Sequence, residues 1–515
     1  MSQTTLTRRQ ALMLSSAAAA GLAIGGLPRL ARAALSTGPS LPVPALIDAR
    51  GGEPVTLSLQ KSKHRFGSGR AVPSTGISST YLGPVVRVRS GDKIPFRVEN
   101  RLDEETTLHW HGLLVPSEVD GGPHNTIAPG AVWTPEVLVK QDAATTWFHP
   151  HPHGNTARQV YVGLAGMMIV SDGNDRDRGL PATYGVDDLP IVLQDKRFAP
   201  NGEFVYQPNM MDLMHGFQGD TLIVNGAIGP VAKVPAGLVR LRLLNAANAR
   251  NFYLRFADRR PFFVIAGDAG YLPEPVELRQ LVIAPAERYE VLVNFSDARP
   301  VDLVTAPDPH AGMMGMMMQM RQPLVSTGGT EVFMSFKPDP TLKAVVTRLP
   351  RELTKLAPPD IKSAVAWRTF VLDPMREMGM AGMMSAVATH AGGSTRDAGR
   401  DHASASQMMG INGRSFSMDR VDVTAKLGTS EIWEIVSNAM AHPFHLHGAR
   451  FRILSNSGRK PNAEQSGWKD VVLVEDQAEV LVRFDNPAPP KIPFMYHCHI
   501  LEHEDHGMMG QFAVV

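Results

Sequence analysis

Histidines spaced two residues apart are the feature of this sequence that points most directly to chemistry. The chain contains 18 histidines in 515 residues, for which chance would give about 0.6 pairs of the form His-x-His. Five such pairs occur: His109/His111, His149/His151, His151/His153, His445/His447 and His497/His499. Because residues i and i+2 of a strand face the same side, each pair can offer two imidazoles to one metal site. Imidazole binds copper, zinc, iron or nickel, so the histidines alone leave the metal open.

The single cysteine of the chain narrows the choice of metal. Cys498 stands between His497 and His499, so its side chain leaves a strand on the face opposite to theirs. Three further candidate ligands are available on the cysteine's side: His442, His503 and Met508. Two imidazoles, a thiolate and a thioether form the ligand set of a blue-copper electron-transfer centre. One strand can therefore serve two sites, with a histidine cluster for several ions on its other face.

The overall composition excludes several classes of protein. The chain has 51 basic and 50 acidic residues, so it carries no charge surplus for binding nucleic acid. Its single cysteine excludes an intrachain disulfide framework. The 40 prolines and 46 glycines favour many short strands and turns over long helices.

Apolar runs of strand length recur along the chain with turn residues between them, a pattern typical of β-sandwiches. The runs are 85–88, 93–98, 131–139, 164–171, 189–193, 239–244, 288–295, 431–436, 451–454, 471–474, 479–484 and 511–515. A short loop followed by a strand that ends in Asn occurs three times, at 91–100, 236–245 and 428–438. This repetition predicts three similar domains, with linkers at 172–187 and 338–364.

The first 33 residues resemble an export signal. Arg8 and Arg9 precede an apolar stretch that ends near residue 27, and Ala31-Arg32-Ala33 is typical of a cleavage site. The paired arginines predict export of the folded protein by the twin-arginine machinery, with ordinary secretion as the alternative. The apolar stretch is shorter than the roughly 20 residues that span a bilayer. We therefore expect a periplasmic mature protein that is not inserted in the membrane.

The histidine and cysteine motifs resemble the four copper motifs of the multicopper oxidases, and all four are complete and in order. The closest resemblance is to the bacterial copper efflux oxidase branch, and it covers essentially the whole mature chain. The motifs are His109-Trp110-His111-Gly112, Trp147-Phe148-His149-Pro150-His151, His442-Pro443-Phe444-His445-Leu446-His447-Gly448 and His497-Cys498-His499-Ile500-Leu501-Glu502-His503 with Met508.

The resemblance implies an all-β fold of three consecutive cupredoxin-like Greek-key β-sandwich domains. Their expected bounds are 34–176, 177–345 and 346–515, with a Met-rich segment at about 375–409 in the third domain. The resemblance also implies four copper ions: one type 1 copper, one type 2 copper and one type 3 pair.

By motif position, the resemblance assigns a ligand set to each copper. The type 1 ligands would be His442, Cys498 and His503, with Met508 in the axial position. The type 2 ligands would be His109 and His445. The type 3 ligands would be His111, His149, His151, His447, His497 and His499. Asp120 and Glu504 would pass protons to the cluster, or would orient imidazoles instead.

Methionine-rich segments suggest the reducing substrate. Thioethers select Cu(I), and methionines are concentrated at 313–320 and 375–409. Core packing is the alternative, although the neighbours of these methionines are Gly, Ala and Ser. By resemblance, the candidate ligands of a substrate copper are Asp373, Met375, Glu377 and Met440. Asn438 and Leu372 depart from the family pattern at this place and favour a broader, laccase-like enzyme.

Two functions from different classes follow from these observations. The first is a periplasmic multicopper oxidase that couples four one-electron oxidations at the type 1 copper to reduction of O2 to water, with a role in copper tolerance. Its electron donors would be Cu(I) or phenols and aromatic amines. The alternative is a non-catalytic exported cupredoxin protein that buffers copper or serves cell division. Four further histidines are expected at the surface or beside the ligands: His124, His153, His215 and His506.

Overall fold

The computed structural model describes residues 38–308, 330–374, 409–438 and 440–515. The expected export signal, the methionine run at 313–320 and nearly all of the segment 375–409 lie outside these ranges. Among the described residues, no helix is long and apolar enough to cross a membrane.

The first part of the chain, residues 46–171, forms two sheets. Their strand orders are β1-β4-β9-β8 and β3-β2-β5-β6, and β7 pairs with β5. The elements are β1 (Leu46–Asp48), β2 (Val55–His64), β3 (Val72–Ile77), β4 (Val85–Arg89), β5 (Lys93–Arg101), a 3-10 turn (Ser117–Val119), β6 (Val132–Trp133), β7 (Glu136–Leu138), β8 (Ala144–Phe148), α1 (Thr156–Tyr161) and β9 (Gly166–Ser171).

The middle part, residues 188–338, forms two further sheets, with orders β11-β10-β13-β18-β15-β16 and β12-β20-β19-β14-β17. The elements are β10 (Asp188–Lys196), α2 (Met210–His215), β11 (Thr221–Val224), β12 (Val231–Val234), β13 (Leu238–Asn245), β14 (Phe252–Phe256), β15 (Phe262–Gly267), β16 (Gly270–Leu278), β17 (Leu281–Ile283), β18 (Arg288–Asn294), β19 (Val301–Ala306) and β20 (Glu331–Pro338).

The last part, residues 361–514, forms the sheets β22-β21-β24-β28-β26 and β23-β30-β29-β25-β27. The elements are a 3-10 turn (Ile361–Ser363), β21 (Ala364–Pro374), β22 (Met409–Ile411), β23 (Val423–Ala425), β24 (Ser430–Ser437), β25 (His442–Leu446), β26 (Arg450–Asn456), a 3-10 turn (Ala463–Gln465), β27 (Val471–Val474), β28 (Gln477–Arg483), β29 (Phe494–Cys498), α3 (Leu501–Asp505) and β30 (Met509–Val514).

The threefold repeat in the sequence corresponds to one recurring strand pairing. The repeated strands are β5, β13 and β24, and each pairs in parallel with an earlier strand of its own part: β2, β10 and β21 respectively. A parallel pair needs a long connection, so the same crossover occurs in all three parts. Each part encloses its own aromatic core, with ring centroids 4.4 Å apart for Phe96 and Trp110 and 4.5 Å apart for Phe370 and Trp433.

One predicted strand is divided in the structure. The run at 131–139 contains Pro135, which has no N–H to donate to a neighbouring strand. Two short strands, β6 and β7, therefore replace the single expected one, and both pair with β5.

Candidate metal centre

Cys498 lies in a compact group with His442 and His503. The Sγ atom of Cys498, on β29, lies 3.2 Å from Nδ1 of His442, on β25. It lies 3.7 Å from Nδ1 of His503, on α3, and the two Nδ1 atoms are 3.4 Å apart. Met508 is fully buried, and its backbone carbonyl accepts a hydrogen bond from the N–H of Cys498 at 3.1 Å. The structure thus brings together the four residues that the sequence motifs assign to a type 1 copper.

The alternation of β29 separates this group from a second one, as expected. His497 precedes Cys498 on β29 and His499 directly follows the end of that strand, and their rings belong to a cluster of eight buried histidines on the other face. The eight come from both ends of the described chain: His109, His111, His149, His151, His445, His447, His497 and His499.

Six of the eight histidines form two groups of three. One group is His111, His149 and His499, and the other is His151, His447 and His497. In the first, Nδ1 of His111 lies 3.4 Å from Nε2 of His149. In the second, Nε2 of His497 lies 3.3 Å from Nε2 of His151 and 3.2 Å from Nε2 of His447.

Stacked imidazoles join the first and last parts of the chain. The rings of His109 and His447 have centroids 3.8 Å apart and an interplanar angle of 18°. Those of His111 and His445 are 3.7 Å apart at 11°. The cluster therefore lies between two domains and needs both of them to be complete.

Several buried ring nitrogens have no hydrogen-bond partner among the described residues. They include Nε2 of His109 and Nε2 of His445, two rings whose Nδ1 atoms are paired with backbone carbonyls instead. An unpaired polar atom in a dry interior costs roughly 1–3 kcal/mol. Bound metal ions would satisfy these lone pairs, so the residues present fit a metal.

The protonation of the cluster also suits a metal. Burial lowers the pKa of His151 to about 3, that of His499 to about 3 and that of His442 to about 4. These imidazoles are neutral at pH 7, which is the form that binds metal ions. A donor set of neutral imidazoles with one thiolate fits copper.

Asp120 and Glu504, the two carboxylates predicted from the sequence, each lie between imidazoles. Asp120 Oδ2 lies 2.8 Å from Nδ1 of His447 and 3.2 Å from Nδ1 of His109. Glu504 Oε2 lies 3.2 Å from Nδ1 of His497, and Oε1 lies 3.4 Å from Nδ1 of His151.

The environment of Glu504 keeps it ionised. Burial by itself would raise the pKa of Glu504, but the neighbouring His151 and His497 hold that pKa well below its usual range. A carboxylate that accepts from Nδ1–H leaves Nε2 of the same ring free to bind a metal. The Asp120 carboxylate fixes the tautomer of His447 in this way, whereas Glu504 lies beside Nδ1 of His151 and of His497 without a hydrogen bond to either.

Sequence reasoning missed a third carboxylate, Asp470. Its Oδ1 lies 3.2 Å from Nε2 of His111, and its backbone carbonyl lies 2.8 Å from Nδ1 of His445. Arg288, which is fully buried in the middle part, donates to both carboxylate oxygens at 2.5 and 2.7 Å. Arg288 is the first residue of β18, and Asp470 directly precedes β27. A charged residue at the start of an apolar strand run was the sequence signal that could have identified both.

Of the candidate ligands for a substrate copper, the structure describes the side chain of Met440. It is half-buried and packs against the core cluster that contains Cys498 and Met508. Met375 and Glu377 lie outside the described residues, as does the side chain of Asp373.

The four histidines expected at the surface or beside the ligands lie outside the metal groups of the described chain. Nε2 of His124 lies 2.6 Å from Gln511 Oε1, and Nδ1 of His506 lies 2.6 Å from the carbonyl of Glu502. His153 is exposed and its ring lies 5.0 Å from that of Phe416. His215 ends helix α2 and is half-buried.

Comparison with known proteins gives relatives over the whole chain. Cell division protein FtsP of Xenorhabdus nematophila is 37% identical over 510 residues, covering 99% of this chain and 99% of the relative. Cell division protein FtsP of Yersinia pestis is 37% identical over 516 residues with the same coverage.

Solved structures of oxidases share the fold. A laccase-like multicopper oxidase, CueO, from Ochrobactrum sp. is 48% identical with a TM-score of 0.82, covering 92% of this chain and 100% of that one. A multicopper oxidase from Campylobacter jejuni, described as a metallo-oxidase, is 27% identical with a TM-score of 0.77, covering 93% and 96%.

The full-length relatives correct the main functional prediction. A periplasmic oxidase with a role in copper tolerance was expected, but proteins aligned over 99% of the chain are named for cell division. The alternative, an exported cupredoxin protein with a cell-division role, agrees better with this finding. The sequence favoured the oxidase because the copper motifs are complete in this chain, and this interpretation was wrong.

Family models for multicopper oxidases match residues 58–175, 202–303 and 389–515, which together are more than half of the chain. The observed all-β fold is the predicted one, since these neighbours consist of three cupredoxin-like domains. The chain therefore belongs to the multicopper oxidase family.

Proposed function

We propose that this chain is an exported cupredoxin protein that serves cell division and does not depend on catalysis for that role. The observation that carries the proposal is its similarity to cell division proteins FtsP over 99% of its length, at 37% identity. Export in the folded state, by the twin-arginine route, would follow from the arginine pair near the start of the chain.

The way in which the three parts are joined supports a structural role. Lys469 of the last part forms buried ion pairs with Asp268 and Glu287 of the middle part, both at 2.9 Å. Arg242 of the middle part donates to Thr145 of the first part at 3.0 Å. Buried charges that lose a partner are costly, so these contacts oppose separation of the domains.

We further propose that the chain holds copper. His442, Cys498 and His503 would hold a type 1 copper with Met508, His109 and His445 a type 2 copper, and the two groups of three histidines a type 3 pair. When bound, copper supplies reversible one-electron chemistry. Around it, the chain excludes water, since every one of these side chains is buried, and the Asp120 carboxylate holds the proton on Nδ1 of His447.

A second candidate function is oxidase-type activity, of the laccase-like or cuprous-oxidase kind, with O2 as the acceptor. Two observations favour it: the histidine and cysteine set has no gap, and the 48% identical CueO is described as having oxidase activity towards lignin model compounds. The two functions differ in whether the cellular role requires Cys498.

A complementation experiment tests the main proposal. The chain is expressed with its own export signal in Salmonella typhimurium lacking its cell division protein FtsP, and cell length is measured under conditions in which that strain divides poorly. The matched variant is Cys498→Ser, which removes the thiolate with little change in volume. Export is verified by immunoblotting of the periplasmic fraction.

We expect both the unchanged chain and Cys498→Ser to restore normal cell length. Filamentation that persists with well-exported protein would contradict a division role. Rescue by the unchanged chain alone would contradict independence from copper chemistry and would favour the second candidate.

A further inference from the structure

Strand β21 (Ala364–Pro374) has an open edge in the last part of the chain. On one side β24 pairs with it in parallel, whereas on the other side β22 reaches only residues 372–374. Asn412 extends this cover a little, since its N–H donates to the carbonyl of Val371 at 2.8 Å and its Nδ2 donates to the carbonyl of Thr369 at 3.1 Å. Before Thr369, no strand of the described chain pairs with this side of β21.

The backbone along this edge faces outward for pairing. Asn412 Oδ1 also accepts from the N–H of Val371 at 2.7 Å, so both backbone groups of Val371 point away from β24. Because the backbone groups of a strand alternate in direction with a period of two residues, the N–H and C=O of Trp367 point the same way, as does the N–H of Thr369. Outward donors and acceptors of this kind are a template for another strand.

The side chains at the open edge are apolar. Val365 is 63% exposed and Trp367 is 55% exposed, and Ile361, in the 3-10 turn before β21, is 54% exposed. All six tryptophans lie in the described chain, and Trp367 alone among them is exposed. Large apolar side chains beside an unpaired strand edge are typical of a surface that binds another chain.

Positive charge flanks this edge at both ends. Lys362 lies in the 3-10 turn before β21, and Arg414 lies in the turn that contains Asn412. Both cationic residues are exposed, and neither forms an ion pair within the described chain. Three nearby carboxylates already accept hydrogen bonds: Glu431, Glu434 and Asp360. An acidic partner therefore complements the charge at the edge.

We propose that the open edge of β21 binds, by strand addition, an extended segment of another protein that has an apolar centre and acidic ends. Main-chain hydrogen bonds to Trp367 and Thr369 would give affinity, and Val365 and Trp367 would contact the apolar centre. A second copy fits less well, because two such edges paired antiparallel about Trp367 would bring Lys362 of one copy towards Arg414 of the other. Like charges placed opposite each other are destabilising.

The site gives the proposed cell-division role a surface for a partner, and in that respect it rests on that role. Binding of a peptide is measured on the purified protein without any division phenotype, so the failure of one proposal is distinguishable from the failure of the other.

Fluorine spectroscopy with a synthetic peptide tests the proposal. Copper-loaded protein carrying 5-fluorotryptophan is kept reduced by ascorbate without O2, and Trp367→Phe assigns the 19F signal of Trp367. The probe is the peptide acetyl-Glu-Glu-Val-Thr-Val-Thr-Val-Glu-Glu-amide. Two control peptides have Lys in place of each Glu, or N-methyl groups on alternate residues, which remove the donors that strand pairing needs.

The signal of Trp367 should shift saturably with the acidic peptide, and hydrogen exchange should slow at residues 365–369. Lys362→Glu combined with Arg414→Glu should weaken binding of the acidic peptide about tenfold or more, and this variant should prefer the Lys-ended peptide. Lys63→Glu, at an exposed residue of β2 without an ion pair in the described chain, is the matched control and should leave the Kd unchanged.

A Trp367 signal that the acidic peptide leaves unmoved would overturn the proposal. So would binding that the double charge reversal does not weaken, or equal binding of the N-methylated peptide. Sedimentation that shows a dimer which Trp367→Lys dissociates would assign the edge to a second copy instead.

Discussion

Arg288 Nη2 donates to Asp470 Oδ2 at 2.5 Å, while the other oxygen of that carboxylate lies 3.2 Å from Nε2 of His111. The three residues come from the middle, last and first parts of the chain. The middle part contributes none of the clustered histidines in the described chain, yet its guanidinium holds the carboxylate beside them. The position of the histidine cluster therefore depends on all three domains.

Replacing Arg288 should disturb the cluster as well as the fold. Arg288→Met leaves the buried Asp470 without its cation, which should lower the free energy of unfolding by about 3–5 kcal/mol. It should also release His111 and His445, so that bound copper is lost. Urea unfolding and copper analysis measure the two effects.

The matched control for Arg288 is Arg240→Met. Arg240 is equally buried in the middle part and pairs with Glu290, away from the histidines. Arg240→Met should lower the free energy of unfolding to a similar extent, while the folded variant keeps its copper. Equal copper contents in the two variants would show that Arg288 does not act on the cluster.

Gly112 should tolerate no larger residue. Its φ of +85° is in the left-handed region, and an added Cβ would lie 2.5 Å from Arg288 Nη2 and 2.8 Å from Asp470 Oδ2. Gly112→Ala therefore combines backbone strain of about 1–3 kcal/mol with a clash against a fixed ion pair. Thermal unfolding should show a lower Tm than for Gly130→Ala, where φ is also positive and the space is open. An equal loss of Tm in both variants would mean that Arg288 and Asp470 move aside for the added Cβ, which would contradict the predicted clash.

Copper binding at Cys498 should strengthen with pH. Burial raises the pKa of the Cys498 thiol, so the metal-free site holds a proton that the ion must displace. Burial lowers the pKa of the neighbouring His442 to about 4. This ring is therefore already neutral and releases no proton when copper binds. Between pH 6 and pH 8 the Kd at this site should fall about tenfold per pH unit. Competition titrations measure the slope, and a Kd that does not change with pH would contradict a protonated thiol.

The metal-free protein should lose stability in acid before most carboxylates titrate. The folded-state pKa values of His151 and His499 are about 3, whereas an unfolded histidine titrates near 6.5. The unfolded chain therefore binds more protons in this interval, and stability falls as pH decreases from about 6.5 to about 3, by up to about 1.4 kcal/mol per pH unit for each such histidine. Urea midpoints should decline over this range in the metal-free protein, and at least as steeply in the copper-loaded one, because copper binding itself weakens as pH falls. Midpoints of the metal-free protein that stay constant between pH 6.5 and pH 3 would contradict the lowered pKa values of these rings.

The histidine groups and the repeated strands could be predicted because their signals are local in sequence. The pairs His109/His111 and His497/His499 follow from the two-residue period of a strand. Asp470 could not be predicted, because its role depends on Arg288, 182 residues away in sequence. The division of the run 131–139 could have been predicted from Pro135. Function was harder, since this chain combines complete copper motifs with full-length similarity to proteins named for cell division.

Anomalous diffraction at the copper edge, on crystals of copper-loaded protein, tests most directly that the buried histidine and cysteine set holds copper. The account predicts one peak among His442, Cys498 and His503 and a cluster of three peaks among the eight histidines. Fully loaded crystals with no peak at either group would contradict it.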